Sequence, residues 1–209
     1  AAIYHADGLW GEATFDLYAP ALPDHYGYLI ASGMDDAIDA VTCMTFDASL
    51  VDWLEQQAMF SNIAPPFFES LRQFSFDGDI WSVPEGSMVH ANEPILQVRA
   101  PLHQACMLET FFVRAVSFST GISTRAARMS VAAQGRPIID GSSGRSANSH
   151  AALAGSRAAW IGGTAATTNV SAARNLGIPA WHQVPDTILA AYDRDIDAYE
   201  AYQLHFPDG

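Results

Sequence analysis

The chain has 209 residues, 49% of them hydrophobic and 16% charged, and a net charge of −13. That length and apolar content support one large domain or two smaller ones and exclude an intrinsically disordered chain. So acidic a chain is not expected to bind nucleic acid.

The charge is unevenly placed. There is no lysine; all ten basic residues are arginine, and nine of them lie between Arg99 and Arg194. Arginine gathered in one half suits small anions, because the planar guanidinium holds a carboxylate or phosphate through two parallel bonds. The alternative for any single arginine is a structural ion pair with a neighbouring acid. No run is read as reaching the roughly 18 apolar residues of a membrane span, and residues 1–20 show no basic stretch followed by an apolar one. A soluble, cytoplasmic protein without membrane contact is therefore expected. Cys43 and Cys106 lack CxxC or histidine-spaced partners, so buried thiols are expected rather than a disulfide or zinc site.

In chain order, ATFDLY (13–18) alternates apolar and polar residues and reads as a half-buried strand. Helices are expected at 33–42, 47–60 and 65–74, the last opened by Pro65 and Pro66 and carrying Phe67, Phe68, Leu71 and Phe74 at helical spacing. IWSV, SMVHA and ILQVR read as three strands of a small antiparallel sheet, separated by turns at Pro84–Gly86 and Asn92–Pro94. Glu85 and Glu93, beside those turns, are expected to be solvated or turn-bonded. These elements make an α+β domain over residues 1–100.

Beyond Pro101 the pattern becomes helical, with periodicity over Leu102–Phe118 and Thr120–Ala133 and a stop at Gly135. RPIID, AAWIGG and GIPAW read as short strands between helices, so residues 101–209 are expected to form part of an α/β barrel with parallel strands. Chemistry in such barrels sits on loops after the strands, here 140–149, 162–169 and 181–187. A final helix places Ile188, Tyr192, Ile196 and Tyr199 on one face, with Asp186 or Thr187 as its N-cap.

Several segments together resemble the nicotinate phosphoribosyltransferase family. They are the opening 38 residues, FDGDIWSVPEGSMVHANEPILQV (76–98), LETFFVRAVSFSTGISTRAARM (108–129), SRAAWIGGTAATTNV (156–170) and GIPA (177–180), in order and at compatible spacing. The resemblance implies an N-terminal α+β sheet domain followed by part of an irregular α/β barrel of the type II phosphoribosyltransferase kind. It implies transfer of phosphoribose from 5-phosphoribosyl-1-pyrophosphate (PRPP) to nicotinate, giving nicotinate mononucleotide for NAD synthesis. Mg2+ accompanying PRPP, coupling to ATP through a phosphorylated histidine, and a homodimer with shared sites belong to the same implication.

Carried over residue by residue, the family pattern assigns anion binding to Arg145, where the family's arginine pair reads Gly144-Arg145, and to Arg125 and Arg128 in Thr124-Arg125-Ala126-Ala127-Arg128. GIPAWHQVPDT (177–187) places Gln183 at a nicotinate-contacting threonine, Asp186 at the phosphorylated histidine and Thr187 at the following serine. Asp186 therefore occupies the catalytic position without a histidine, and ATP coupling is in doubt. His182, four residues earlier, is either a displaced acceptor or an ordinary loop histidine. No metal-ligand set is expected. Relative to the family the chain is expected to be a fragment, unable alone to close the barrel. The alternatives are a relative acting on another pyridine acceptor, motivated by Gln183, and a non-catalytic relative that binds a metabolite or a homologous subunit.

Overall fold

The computed structural model describes residues 1–207, and the chain divides into two units, Ala1–Thr124 and Arg125–Gly209. The first unit opens with a short helix, α1 (Ala2–Ala6), then strands β1 (Glu12–Tyr18) and β2 (Leu29–Ile30). Helices α2 (Met34–Thr42), α3 (Ala48–Glu55) and α4 (Pro65–Arg72) follow, then strands β3 (Asp79–Ser82), β4 (Met88–Val89) and β5 (Pro94–Pro101). Helix α5 (Leu102–Ala132) begins in this unit and ends in the next.

β5 is the central strand of an antiparallel sheet ordered β1-β5-β3, with Val98 opposite both Phe15 and Ile80. The expected pairing of SMVHA within that sheet does not occur. Gly86 at φ +85° and Asn92 at φ +63° turn the chain on either side of β4, which pairs with β2 instead. The core gathers Met34, Ala37 and Val41 of α2, Ile95, Leu96, Val98 and Ala100 of β5, and Ala105, Leu108, Phe112 and Val116 of α5. A second cluster places Phe67, Phe68 and Leu71 of α4 against Val51 of α3, as the spacing of the Pro65–Phe74 segment requires.

The expected helix at 47–60 breaks after Glu55, and Ala58–Phe60 forms a separate 3-10 turn. The two helices expected after Pro101 are one. Thr124 returns its hydroxyl to the carbonyl of Thr120 (2.6 Å), the local bond by which a polar side chain is accommodated inside a helix. The same face of α5 completes the chain around β2. Thr124 Oγ1 accepts from Ile30 N (2.8 Å), Ser123 Oγ donates to the Ile30 carbonyl (2.6 Å), and Thr120 Oγ1 meets both Ser32 N and Ser32 O at 3.2 Å.

By length and composition α5 is apolar enough to cross a membrane, with a mean hydropathy of 1.2 over an 18-residue window, which corrects the reading that no run qualifies. Its stripe from Ala105 to Val116 lies in the core just described. The expectation of buried thiols fails at Cys43, which is exposed at the C-terminal cap of α2, and Cys106 is half-buried. Glu93 is turn-bonded as expected, accepting from His90 N (2.7 Å), whereas Glu85 leaves its own turn and its Oε1 accepts from Gly33 N at 2.5 Å, at the start of α2.

The second unit contains strands β6 (Ile139–Asp140) and β7 (Ala166–Thr167), which pair in parallel, with Ala180 adding a parallel bridge to Thr167. Helix α6 (Ser149–Ile161) runs between β6 and β7, and α7 (Val170–Leu176) between β7 and Ala180, followed by α8 (Asp186–Leu189) and α9 (Asp195–His205). RPIID and GIPAW thus contribute strand residues, whereas AAWIGG does not: it forms the last turns of α6 and its glycine stop. Asn148 starts that helix by accepting from Ala151 N (2.9 Å), and the alanines beyond it sustain the helix. β-Branched Thr167 supplies the strand instead. The expected final helix is also two. Pro185 is the N-cap, Asp186 sits in the first turn, and the chain turns again before Asp195, leaving Tyr192, Ile196 and Tyr199 exposed rather than lining a buried face.

Gly33 has φ +89°, and a Cβ there would lie 2.7 Å from Ser119 Cβ and 2.9 Å from the Ala115 carbonyl. Gly33→Ala is expected to cost about 2–4 kcal/mol, from overpacking and backbone strain together. Gly121→Ala, where nothing lies within 4 Å, is expected to stabilise by about 0.5–1 kcal/mol. Urea unfolding of the two variants measures both.

Candidate active site

Asp140 ends β6 on a buried carboxylate, 7% exposed. One oxygen accepts from Ser142 N (3.0 Å) and from Ser142 Oγ (2.6 Å), while the other accepts from Thr167 Oγ1 (2.9 Å) at the end of β7. Thr167 Oγ1 in turn accepts from Asn169 N (3.0 Å), and the Asn169 amide donates to Ser156 Oγ on α6 (3.3 Å). Asn169 Oδ1 caps α7 by accepting from Ser171 N and Ala172 N. The ends of both strands and the starts of the following segments are thereby tied to one carboxylate.

Burial pushes the Asp140 carboxyl up, but the Ser142, Ser156 and Thr167 hydroxyls and the Ser142 N–H together outweigh it and hold the group below its usual value. It stays ionised and spends its lone pairs on the protein, so its role is to fix the loops rather than to react.

The loop it fixes carries Arg145. Arg145 N donates to the Ser142 carbonyl (2.9 Å), closing a 3-10 turn over Ser143–Arg145, and the side chain is exposed. Beside this turn lies a hollow of about 550 Å3 walled by Ser143, Ser146, Ser149, His150 and Asn169. The third loop arrives through Trp181 N, which donates to the Thr167 carbonyl (2.9 Å). It brings Gln183 Oε1 to 3.1 Å from where a Cβ on Gly141 would be, so the loops after β6 and after Ala180 meet.

Asp186 and Thr187 are both exposed in the first turn of the four-residue α8. Arg125 and Arg128 lie three residues apart on α5, the first exposed and the second half-buried. Gln183 thus meets the loop that bears Arg145 and lines only the smaller hollow beside it, while Arg145, Asp186 and Thr187 line neither hollow. Sequence reasoning did not single out Asp140, Ser156, Thr167 or Asn169. The available signals were an apolar run ending in Asp and followed by Gly-Ser-Ser, and an Asn directly before the apolar start of α7. Among the described residues no group of three His, Cys, Asp or Glu side chains could hold a metal ion.

An antiparallel α+β unit joined to parallel βα units with polar strand ends defines the chain as a partial type II phosphoribosyltransferase fold. The likeness to solved structures is direct. Human nicotinic acid phosphoribosyltransferase superposes with a TM-score of 0.84 at 24% identity, over 91% of this chain and 39% of that one. The nicotinate-nucleotide pyrophosphorylase of Pyrococcus furiosus superposes with a TM-score of 0.73 at 19% identity, over 96% and 43%.

Residues 1–117 match the nicotinate phosphoribosyltransferase N-terminal domain. Nicotinate phosphoribosyltransferase pncB2 of Mycobacterium tuberculosis is 31% identical over 99% of this chain and 44% of its own length. The nicotinate phosphoribosyltransferase of Bacillus subtilis is 33% identical over 97% and 41%. The chain belongs to the nicotinate phosphoribosyltransferase family, and it spans less than half the length of these relatives.

Because its folded value is lowered, the Asp140 carboxylate stabilises the fold fully above its unfolded pKa of about 3.9, and that contribution is lost as pH falls through the lower folded value. Asp140→Asn sets an amide NH2 against groups that donate and is expected to lower unfolding stability by about 2–3 kcal/mol at pH 7. The difference from wild type should shrink as both are acidified, which urea titrations at stepped pH would follow.

Proposed function

We propose that this chain forms part of an enzyme that transfers phosphoribose from PRPP to nicotinate, releasing pyrophosphate and forming nicotinate mononucleotide. The observation that carries this reading is the meeting of the Arg145 and Gln183 loops at strand ends held by Asp140, in a chain of this family. Such a transfer needs the departing pyrophosphate neutralised and the ribosyl carbon held in line with the pyridine nitrogen. Arg145, on a turn of small residues, is suited to the first demand, with Arg125 and Arg128 as further anion ligands.

Gln183 is suited to the second. Its side-chain amide lies against Gly141, and its NH2 can donate to the carboxylate of nicotinate. Nicotinate is the acceptor proposed because the chain belongs to the nicotinate phosphoribosyltransferase family. Thr187 offers a hydroxyl nearby in sequence. Asp186 replaces the family's histidine, so the reaction proposed here proceeds without a phosphohistidine, and ATP is not required. The described residues do not supply a three-ligand metal site, so Mg2+ would enter on the oxygens of PRPP, where it neutralises leaving-group charge. A cytoplasmic homodimer completes the proposal.

The intact protein should form nicotinate mononucleotide from nicotinate and PRPP at the same rate with and without ATP, and should strongly prefer nicotinate to nicotinamide. Arg145→Ala is expected to lower kcat/KM by about 10- to 100-fold, the worth of a charge-assisted bond. A folded intact protein that makes no product under either condition would overturn the reading.

A further inference from the structure

The segment between Trp181 and α8 has little to hold it. After Trp181 N reaches Thr167, residues 182–184 make no backbone–backbone hydrogen bond among the described residues. What tethers the segment is one side chain of α9. Tyr202 Oη donates to the Gln183 carbonyl (3.2 Å) and lies 2.6 Å from His182 Nδ1. The rings reinforce the contact: His182 stacks on Trp181 (6.0 Å, 11°) and packs against Phe206 (5.2 Å), which itself stacks on Tyr202 (4.8 Å, 30°).

A phenol has one hydrogen. Donated to the Gln183 carbonyl, it leaves the oxygen as an acceptor toward an Nδ1–H of His182; donated to His182 Nδ1, it leaves the Gln183 carbonyl unclamped. In the first arrangement the ring has its lone pair on Nε2, which has no hydrogen-bond partner among the described residues. His182 and Gln183 share a hollow of about 250 Å3 with Val184, Tyr199 and Gln203.

We propose that Tyr202 is the positioning residue for Gln183: its hydroxyl clamps the Gln183 carbonyl, sets the amide against Gly141, and locks His182 in the Nδ1–H tautomer. The effect on the reaction rests on the function proposed above; the clamp and the tautomer do not. Tyr202 acts through Gln183 and touches no reacting atom. Its loss therefore weakens acceptor binding without changing the chemical step.

The test uses the intact protein labelled with 15N-histidine. Long-range 15N–1H correlation should show wild-type His182 protonated at Nδ1. Tyr202→Phe keeps the aromatic stack and removes only the hydroxyl. It should abolish the Nδ1–H preference, shift the Gln183 side-chain amide resonance, and raise the KM for nicotinate about three- to tenfold with kcat within about twofold. Tyr192→Phe, exposed and outside that hollow, should change none of these. An Nε2–H tautomer in the wild type overturns the proposal, and this reading stands even if the Phe variant does not fold. So does a folded Tyr202→Phe protein with unaltered Gln183 resonance and unaltered KM. If the wild type turns over no nicotinate, the proposed function falls, and the tautomer and the Gln183 resonance still decide the clamp.

Discussion

One ionised carboxylate organises the second unit. Asp140 receives hydrogen bonds from its own loop and from the neighbouring strand, and through Thr167 it reaches the cap of α7 and the side of α6. In a parallel arrangement with two-residue strands, backbone pairing alone supplies few bonds, so the polar network fixes the relative register of the strand ends. Burying a charge is costly, and the cost is offset here only because four donors converge on it. The loops that could meet a ligand inherit their positions from that convergence.

The division of labour among side chains follows from this. The deepest acid in the unit is structural, while Arg145, Gln183, Asp186 and Thr187 are exposed on loops or at a helix start. Arg145 has a short turn beneath it, and Gln183 has Tyr202 and Gly141 on either side. Asp186 and Thr187 have only a single turn of helix for support. They have less holding them than Arg145 or Gln183.

Much of the first unit was legible in the sequence. Period-two alternation marked β1, and the Pro-Pro start with phenylalanines at helical spacing marked α4, because both patterns report directly on burial. The partner of SMVHA was not legible, since Leu29–Ile30 is too short to announce itself and only tertiary contact selects it. In the second unit RPIID and GIPAW were found and AAWIGG was misread: six residues of mixed apolar and glycine character fit a strand or a helix end, and the Asn148 cap that decides lies ten residues upstream of that segment's first residue, Ala158. The candidate residues Arg145 and Gln183 came from family resemblance and the loops from strand order. The supporting residues Ser156, Thr167 and Asn169 were invisible because a serine, a threonine and an asparagine carry no pattern until the fold brings them together.

The hydroxyl face of α5 deserves a different reading from the apolar stripe next to it. Thr120, Ser123 and Thr124 answer the backbone of Ile30 and Ser32 group by group, donor to acceptor. Oily surfaces tolerate sliding; a row of matched polar partners does not, since displacement by a single residue would strand several of them in a dry seam. The helix is thus keyed to one longitudinal setting, like a ratchet engaged at one tooth. Changes in this seam would be felt as misalignment of everything α5 carries rather than as simple weakening.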